Sequence, residues 1–356
     1  MAVLIYCYNS ASWKCPSRIA CMQIQQFAKR ATIDLLDIAT PEFQERSWSH
    51  WLRLIVGGVF LPILFPYVVY KLYRLKSLRP DCLRDKVVLI TGASSGLGEA
   101  LAYKFHEAGC KVILASRRLE QLERVKRNIM SQTTTNNAPS ILELDLADLK
   151  AIPAKAEEAL GIHGRIDILI NNGGISTRGD VLETDIQVHV KVMMVNYFGQ
   201  VALTKAILPS MIDRKDGSIV AISSVQGKIG IPSRSAYSAS KHATQAFYDC
   251  LLSEVSHSNV HVCVISPGYI RTNLSINALT GSGTTYGVMD ETTANGMEPK
   301  EVADAVIEAV VNRRWDVILA TLAPRLVIVL RVLFPWLYFI IMISRAKRLR
   351  QNSVRT

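Results

Sequence analysis

Seven short apolar runs alternate with segments of helix length between residues 87 and 319. The runs are VVLIT (87–91), KVILAS (111–116), SILELD (140–145), IDILIN (166–171), SIVAISS (218–224), VHVCVIS (260–266) and WDVIL (315–319). Continuous apolar runs of this length are typical of strands that helices cover on both faces. The pattern predicts an α/β fold with a Rossmann-type, doubly wound, seven-stranded parallel sheet. Such a sheet binds ligands at the carboxyl ends of its strands, so we expect the functional residues there.

The first run continues directly into TGASSGLGEALAYKF, which places three glycines between a strand and a helix. Glycines in this context let backbone N–H groups approach a pyrophosphate at the positive end of the helix dipole. The segment therefore predicts a dinucleotide site. Its candidate residues are Thr91, Gly92, Ser94, Ser95, Gly96, Leu97 and Gly98.

The second run ends in ASRR, which bears on the kind of dinucleotide. NAD-binding proteins commonly place an acid here against the ribose 2′-hydroxyl, whereas an arginine accommodates the 2′-phosphate of NADP. Ser116 stands where the acid would lie, and Arg117 and Arg118 follow it. The segment favours NADP(H), with Arg117 as the first candidate for the phosphate. The alternative is that both arginines only solvate a loop.

The segment YSASK places Tyr237 and Lys241 four residues apart. On a helix this spacing brings both side chains to one face, one turn apart. The two residues are either an ordinary surface pair or a phenol whose pKa a neighbouring ammonium lowers from about 10 toward neutrality. A phenol that exchanges a proton near neutral pH suits the reduction of a carbonyl group.

Five elements along the chain together resemble the short-chain dehydrogenase/reductases over about residues 85–320. They are T-G-x-x-x-G-x-G (Thr91–Gly98), N-N-G-G (Asn171–Gly174), Asn196, Ser224 and Y-x-x-x-K (Tyr237–Lys241). They occur in the order and at the spacing of that family, with Ser224 thirteen residues before Tyr237. Gly173 departs from the usual N-N-A-G only by the loss of a methyl group.

The resemblance implies a catalytic set of four residues. Tyr237 would be the general acid in reduction and the base in oxidation, and Ser224 would hydrogen-bond the carbonyl oxygen. Lys241 would lower the tyrosine pKa and hold the nicotinamide ribose, and Asn196 would seat a water that links Lys241 to solvent. A catalytically silent nucleotide-binding scaffold is the alternative from another class, although such a protein would be expected to have lost part of this set.

The resemblance also implies further contacts with the cofactor. Asp145 would reach the adenine amino group, Asn172 the neighbouring backbone and ribose, and the segment PGYIRT (267–272) the nicotinamide carboxamide. With Tyr237 and Lys241, the implied cofactor-binding residues are Asp145, Leu146, Asn172, Gly173, Pro267, Gly268, Ile270 and Thr272. None of these roles needs a metal, and the seven histidines form no familiar ligand spacing.

Residues 51–73 are predicted to form a membrane anchor that follows an N-terminal arm (1–50). The apolar stretch LIVGGVFLPILFPYVVY (54–70) is short for a spanning helix and contains two prolines, so a buried helix is the alternative. Lys and Arg are denser after this stretch than before it, which predicts a single span with the catalytic domain in the cytosol. A glycosylation sequon at Asn273 disagrees, but a lone sequon often occurs by chance.

The C-terminal part of the chain (321–356) contains a second apolar stretch, LVIVLRVLFPWLYFIIMI (326–343), and then a basic tail. Arg331 and Pro335 near its middle disfavour a second span, since the arginine alone would cost about 2.5–3.5 kcal/mol. We expect a hairpin or tilted helix in the membrane interface, with the tail on lipid head groups. A buried helix is the alternative.

The net charge of +11 does not indicate nucleic-acid binding. Residues 87–343 carry 24 Lys/Arg and 24 Asp/Glu, so the excess lies beside the apolar segments at the two ends. A nucleic-acid binder would carry a basic stripe on its folded domain, whereas basic residues beside apolar segments are typical of membrane surfaces. The seven cysteines form no C-x-x-C and are interpreted as free thiols.

Long stretches such as VALTKAILPSMI, ISPGYIRTNLSINALT and TTYGVMDETTA resemble a membrane-anchored branch of the family. That resemblance implies a place on endoplasmic reticulum or peroxisomal membranes and the reduction of acyl- or alkyl-dihydroxyacetone phosphate. We therefore expect an NADP(H)-dependent oxidoreductase that interconverts a carbonyl and an alcohol on a lipid-like substrate. A retinoid or steroid oxidoreductase is the alternative within the same reaction class.

Two further expectations concern the surroundings of the site. The segment 269–299 is long enough to fold over a substrate as a lid, and Arg271 is the only cation within it. A phosphate-bearing substrate would need a cation near the pocket. By resemblance, long helices at about 185–211 and 235–255 imply a homodimer.

Overall fold

The computed structural model describes residues 80–132 and 137–353. The predicted N-terminal arm (1–50) and membrane anchor (51–73) lie outside the described residues, so both stay predictions. The predicted catalytic domain (85–320) and the second apolar stretch (326–343) lie almost entirely within them.

Seven parallel strands form one sheet in the order β3-β2-β1-β4-β5-β6-β7. The strands are β1 (Val87–Thr91), β2 (Lys111–Ser116), β3 (Ser140–Glu143), β4 (Ile168–Asn171), β5 (Gly217–Ile222), β6 (Val260–Pro267) and β7 (Asp316–Leu319). The predicted apolar runs coincide with these strands to within two residues at either end. Strands β2 and β3 lie on one side of β1, and β4 to β7 lie on the other. This change of side between β1 and β4 leaves a crevice at the carboxyl ends of these two strands.

Helices cover both faces of the sheet. The α-helices of the described residues are α1 (Gly96–Glu107), α2 (Leu119–Gln132), α3 (Ile152–His163), α4 (Ile186–Met193), α5 (Gly199–Arg214), α6 (Ser235–Glu254), α7 (Glu291–Ala294), α8 (Pro299–Val311), α9 (Leu322–Leu333) and α10 (Pro335–Ser353). Val88 and Ile90 of β1 pack in a core with α1, α2 and α8. Val87 and Leu89 point to the other face, into a core with α3, α5 and α6. The predicted doubly wound α/β fold is therefore confirmed.

The second apolar stretch forms two helices, α9 and α10, that pack against each other. Pro335 has no N–H to continue α9, so one helix ends at Leu333 and the next begins at the proline. The Arg331 guanidinium lies 5.4 Å from the centre of the Tyr338 ring, which accommodates the charge within an apolar stretch. Tyr338 is buried and donates a hydrogen bond to Gly230 O at 2.6 Å.

The alternative of a buried C-terminal helix does not hold for this pair. Helix α9 has no buried residue. The large apolar residues exposed on the two helices and between them are Leu322, Leu326, Val329, Val332, Leu333, Phe334, Trp336, Phe339, Ile340, Ile341, Ile343 and Leu349. Within the described ranges, no helix combines the length and the apolar character needed to cross a membrane. Contact of the pair with a membrane surface stays a prediction.

Candidate active site

A cavity of about 430 Å³ lies at the carboxyl ends of the strands. All the predicted site residues except Asn196 line it. These are Thr91, Gly92, Ser94, Ser95, Gly96, Leu97, Gly98, Arg117, Arg118, Asp145, Leu146, Asn172, Gly173, Ser224, Tyr237, Lys241, Pro267, Gly268, Ile270 and Thr272. Residues that are far apart in the sequence thus meet in one place because parallel strands end at the same edge of the sheet.

The turn between β1 and α1 depends on glycine at two positions. Gly92 has a φ of +67°, a left-handed conformation that glycine adopts at no steric cost. A Cβ on Gly98 would lie 2.2 Å from Gly92 O, closer than two non-bonded atoms can approach. The turn is therefore tight, and it brings backbone N–H groups to the start of α1, as the pyrophosphate of a dinucleotide requires.

Hydrogen bonds join this turn to the loop that follows β4. Thr91 Oγ1 accepts from the backbone N–H groups of Asn172 and Gly173, each at 2.9 Å. Asn172 Nδ2 donates to Thr91 O at 2.8 Å. Asn172 therefore fixes the width of the crevice in which a cofactor would lie, in addition to any contact with the cofactor itself.

Arg118 lies against the glycine-rich turn. Its Nη2 donates to Ser94 Oγ at 2.8 Å and to Ser95 Oγ at 2.9 Å. Arg117 is exposed and also lines the cavity. The two guanidinium groups border the end of the cavity where Ser116 ends β2, so the residues present fit a dinucleotide with an extra phosphate on its adenosine ribose.

Asn196 lies behind the cavity wall, fully buried in a π-helical turn (Met194–Phe198) between α4 and α5. Its Oδ1 accepts from Ile175 N at 2.8 Å, and its Nδ2 donates to Ile175 O and Ser240 Oγ, each at 2.9 Å. Single π turns inside helices frequently occur at functional sites. Here the turn lets Asn196 connect the loop after β4 to α6, the helix that carries Tyr237.

Ser224, Tyr237 and Lys241 meet at the cavity, and each is less than 10% exposed. The Ser224 side chain lies close enough to the Tyr237 hydroxyl to affect the pKa of the tyrosine, and its Oγ accepts a hydrogen bond from Gln226 N at 3.1 Å. Lys241 Nζ lies 5.8 Å from the centre of the Tyr237 ring and donates to Ile222 O at 2.8 Å. The interpretation of YSASK as an ordinary surface pair is therefore wrong, since both side chains are buried.

The charge state expected for the tyrosine needs correction. Burial raises the pKa of Tyr237 above its usual value, although the neighbouring Ser224 side chain and the charges of Arg234 and Arg178 oppose the rise. Burial also lowers the pKa of Lys241 to about 8. Burial therefore outweighs the nearby cations, and the pKa of Tyr237 is raised and not lowered in this structure; the effect of Lys241 on the tyrosine stays a prediction. A buried phenol of raised pKa is held as the proton-bearing acid at neutral pH.

Sequence reasoning missed Arg178 and Arg234, which line the cavity. Both donate hydrogen bonds to Asp290, which lies in the predicted lid. Arg234 comes three residues before Tyr237. This closeness in the sequence could have indicated that Arg234 lies near the active site. Arg271, the cation singled out from the sequence, is exposed and pairs with Glu298.

Comparison with known proteins agrees with these features. A family model described as short chain dehydrogenase matches residues 86–282. A protein named dehydrogenase/reductase SDR family protein 7-like, from Anopheles gambiae, is 54% identical over 312 residues, which cover 86% of this chain and 98% of that protein. Dehydrogenase/reductase SDR family member 7B from Danio rerio is 51% identical over 298 residues, which cover 83% and 94% respectively.

Two solved structures share the fold. A short-chain dehydrogenase from Streptomyces avermitilis matches with a TM-score of 0.60 and 29% identity over 76% of this chain and 97% of its own. A short chain dehydrogenase/reductase from Burkholderia phymatum, solved in complex with NAD, matches with a TM-score of 0.62 and 23% identity over 70% and 93%. Since the family model spans more than half of this chain and the relatives most of it, the chain belongs to the short-chain dehydrogenase/reductase family of oxidoreductases.

Proposed function

We propose that this oxidoreductase uses NADPH to reduce a ketone on a lipid-like substrate. The observation that supports it most is that the buried Tyr237 and the glycine-rich turn line the same cavity, with Arg118 beside the turn. The family as a whole uses a nicotinamide dinucleotide. The choice of NADP(H), the catalytic roles and the substrate are the parts that are proposed.

When bound, the nicotinamide supplies the hydride that reduces the carbonyl carbon. Tyr237 donates its hydroxyl proton to the carbonyl oxygen, so hydride and proton together complete the alcohol. Ser224, which lines the same cavity, hydrogen-bonds the same oxygen and stabilises the charge that develops there. In the oxidative direction Tyr237 accepts the proton instead.

Lys241 and Asn196 support this proton transfer. Lys241 lies one turn beyond Tyr237 on α6, where its ammonium would bind the nicotinamide ribose. Asn196 holds the loop after β4 against α6 through Ile175 and Ser240, which fixes the distance between cofactor and tyrosine. A water held by Asn196 would connect Lys241 to solvent and resupply the proton.

The rate of reduction is expected to fall as the pH rises through about 8. Lys241 is charged below its pKa of about 8 and loses that charge above it. The raised pKa of Tyr237 keeps the tyrosine protonated over the same range, so the lysine is the group that titrates. The measurement is kcat/KM between about pH 6 and about pH 10 for the wild type and for Lys241→Arg. The arginine stays charged and should remove the fall; a flat wild-type profile would contradict the role of Lys241.

NADPH is expected to be preferred over NADH through Arg117 and Arg118. Replacing both with leucine should raise the KM for NADPH by at least about 10- to 100-fold, because the loss of even one charge-assisted hydrogen bond to phosphate costs about 1.5–3 kcal/mol. The KM for NADH, which has no such phosphate, should change little. Arg117→Leu alone is the cleaner variant, since Arg118 also holds Ser94 and Ser95. An equal loss for the two cofactors would show that the arginines support the turn and do not select NADP(H).

The lipid-like substrate and the membrane setting are proposed from the C-terminal helix pair. Helices α9 and α10 expose a row of apolar side chains, and α10 continues into basic residues that suit anionic head groups. With residues 51–73 as a single-pass anchor, the catalytic domain would face the cytosol from an endoplasmic reticulum or peroxisomal membrane. The paired long helices α4–α5 and α6 would form a homodimer interface.

Acyl- or alkyl-dihydroxyacetone phosphate is the proposed substrate. The test is NADPH oxidation by the detergent-solubilised protein with acyl-dihydroxyacetone phosphate, with retinaldehyde and a ketosteroid as comparators. Turnover of the phosphorylated lipid supports the proposal. Turnover of the comparators alone would move the protein to retinoid or steroid metabolism.

A further inference from the structure

Two largely buried arginines line the cavity that also contains Tyr237. The side chains of Arg178 and Arg234 are only 10% and 11% exposed, and both line the cavity wall. They share one acid: Asp290 Oδ2 accepts from Arg178 Nη2 at 2.6 Å and from Arg234 Nη2 at 2.9 Å. The cluster thus holds two positive charges against one negative charge.

The surroundings add positive charge to this cluster. The Arg234 guanidinium lies 5.7 Å from the centre of the Tyr269 ring, and Arg345 of α10 donates to the hydroxyl of the same tyrosine at 3.0 Å. Burial, and then repulsion by Arg178, lower the pKa of Arg234. A buried cation without a full counter-charge is destabilising unless a ligand completes the pairing.

The two arginines differ in the number of hydrogen bonds that their guanidinium groups donate within the protein. Arg178 donates from Nε and Nη2 to Asp290 and from Nη1 to Ser176 Oγ and Thr177 O. In the described part of the chain, Arg234 donates one hydrogen bond, to Asp290. A guanidinium has five N–H donors, so Arg234 keeps several for a ligand in the cavity.

We propose that Arg234, held in place by Asp290 and supported by Arg178, binds an anionic group of the substrate, and that this group is a phosphate monoester. A planar guanidinium suits phosphate because it donates two parallel hydrogen bonds to it. The cluster lies beside Tyr237, so the phosphate sits at the end of the substrate near the reacting carbonyl. This assignment rests on the proposed function and narrows it to phosphorylated ketones.

A purely structural role makes a different prediction. The bonds from Arg178 and Arg234 to Asp290 also hold the segment 269–299 against the body of the domain. If that were their whole function, removing Arg234 would loosen the segment and impair every substrate alike. A phosphate-binding role affects phosphorylated substrates alone, so the ratio between two substrates separates the two roles.

The kinetic test compares acyl-dihydroxyacetone phosphate with acyl-dihydroxyacetone, the same ketone without its phosphate. Arg234→Met should raise the KM for the phosphorylated ketone by about tenfold or more, the effect of losing a hydrogen bond to a charged group. The KM for the neutral ketone should stay within about twofold. Arg234→Lys keeps the charge but not the fork of donors, so it should lie between the wild type and Arg234→Met.

Arg127→Met is the matched control, since Arg127 is an exposed arginine of α2 that does not line the cavity. It should leave the KM values for both ketones unchanged. An equal loss for the two ketones in Arg234→Met, or a loss in Arg127→Met as large as that in Arg234→Met, overturns the assignment.

A binding measurement tests the subsite without turnover. Protein saturated with NADP⁺, which fills the cofactor's own phosphate sites, is titrated calorimetrically with dihydroxyacetone phosphate and with dihydroxyacetone. Dihydroxyacetone phosphate should bind to the wild type, and its Kd for Arg234→Met should be higher by about tenfold or more. If it binds in this way but acyl-dihydroxyacetone phosphate is not reduced, the proposed substrate fails and the subsite stands. If acyl-dihydroxyacetone phosphate is reduced equally well by Arg234→Met, the subsite fails and the proposed function stands.

Discussion

Replacing Tyr237 with phenylalanine is expected to lower kcat for ketone reduction by about 10²- to 10⁴-fold. The substitution removes one oxygen, the proton donor, and leaves the buried ring in place. NADPH should still bind with its normal affinity because the glycine-rich turn, Arg117 and Arg118 are untouched. The measurement is NADPH oxidation at saturating cofactor and ketone, together with a separate titration of NADPH binding by fluorescence.

Tyr248→Phe is the matched control for this variant. Tyr248 lies on the same helix, is 1% exposed, and its hydroxyl is hydrogen-bonded to Asn171 Nδ2 at 2.8 Å and to Thr204 at 3.0 Å. Loss of that hydroxyl leaves buried partners unsatisfied, which should cost about 1–3 kcal/mol of stability while kcat is preserved. If Tyr237→Phe kept more than about a tenth of wild-type kcat, Tyr237 would not be the proton donor.

Replacing Gly98 with alanine is expected to disrupt the dinucleotide site. The added Cβ would lie 2.2 Å from Gly92 O and 2.6 Å from Asn172 Nδ2, so the turn must open. Overpacking of this kind costs about 1–3 kcal/mol, occasionally more, which corresponds to a fall of about 2–12 °C in Tm for a domain of this size. The backbone N–H groups would move with the turn, so the Kd for NADPH should rise by at least about tenfold. Scanning calorimetry and a binding titration measure the two effects.

Gly161→Ala controls for the chemical change itself. Gly161 is exposed in α3, and an added Cβ meets no atom within 4 Å. Alanine favours a helix over glycine by about 0.5–1 kcal/mol, so this variant should be as stable as the wild type or more so. Normal NADPH binding by Gly98→Ala would contradict the view that the tight turn forms the cofactor cradle.

Most of the fold could be predicted because its strands are buried on both faces and are apolar along their length. Each run from VVLIT to WDVIL became a parallel strand, and Pro335 divided the second apolar stretch into two helices. The glycine-rich turn was recognisable for a similar reason, since close backbone contacts accept no other residue. Each of these features is formed by a short contiguous segment, so it can be recognised from the sequence alone.

The features that the sequence did not predict are contacts between residues that are far apart in the chain, and the burial of side chains. Arg178, Arg234 and Asp290 lie up to 112 residues apart, and only the fold brings them together. The pKa of Tyr237 had the wrong expected direction because burial, which no spacing of residues reveals, outweighs the neighbouring cations. The bonds from Arg118 to Ser94 and Ser95 of the turn also depend on the fold, while Arg117 as the first candidate for the phosphate stays a prediction.

The central claim is that the protein transfers a hydride from NADPH to a ketone, and deuterium transfer tests it most directly. The detergent-solubilised protein is incubated with acyl-dihydroxyacetone phosphate and NADPH that carries deuterium at both hydrogens of the nicotinamide C4, and the product is examined by mass spectrometry. We predict one deuterium per product molecule on the new alcohol carbon, and an initial rate of product formation about 10²- to 10⁴-fold lower with Tyr237→Phe. Tight NADPH binding without deuterated product from this ketone, retinaldehyde or a ketosteroid would contradict the claim and favour a nucleotide-binding scaffold.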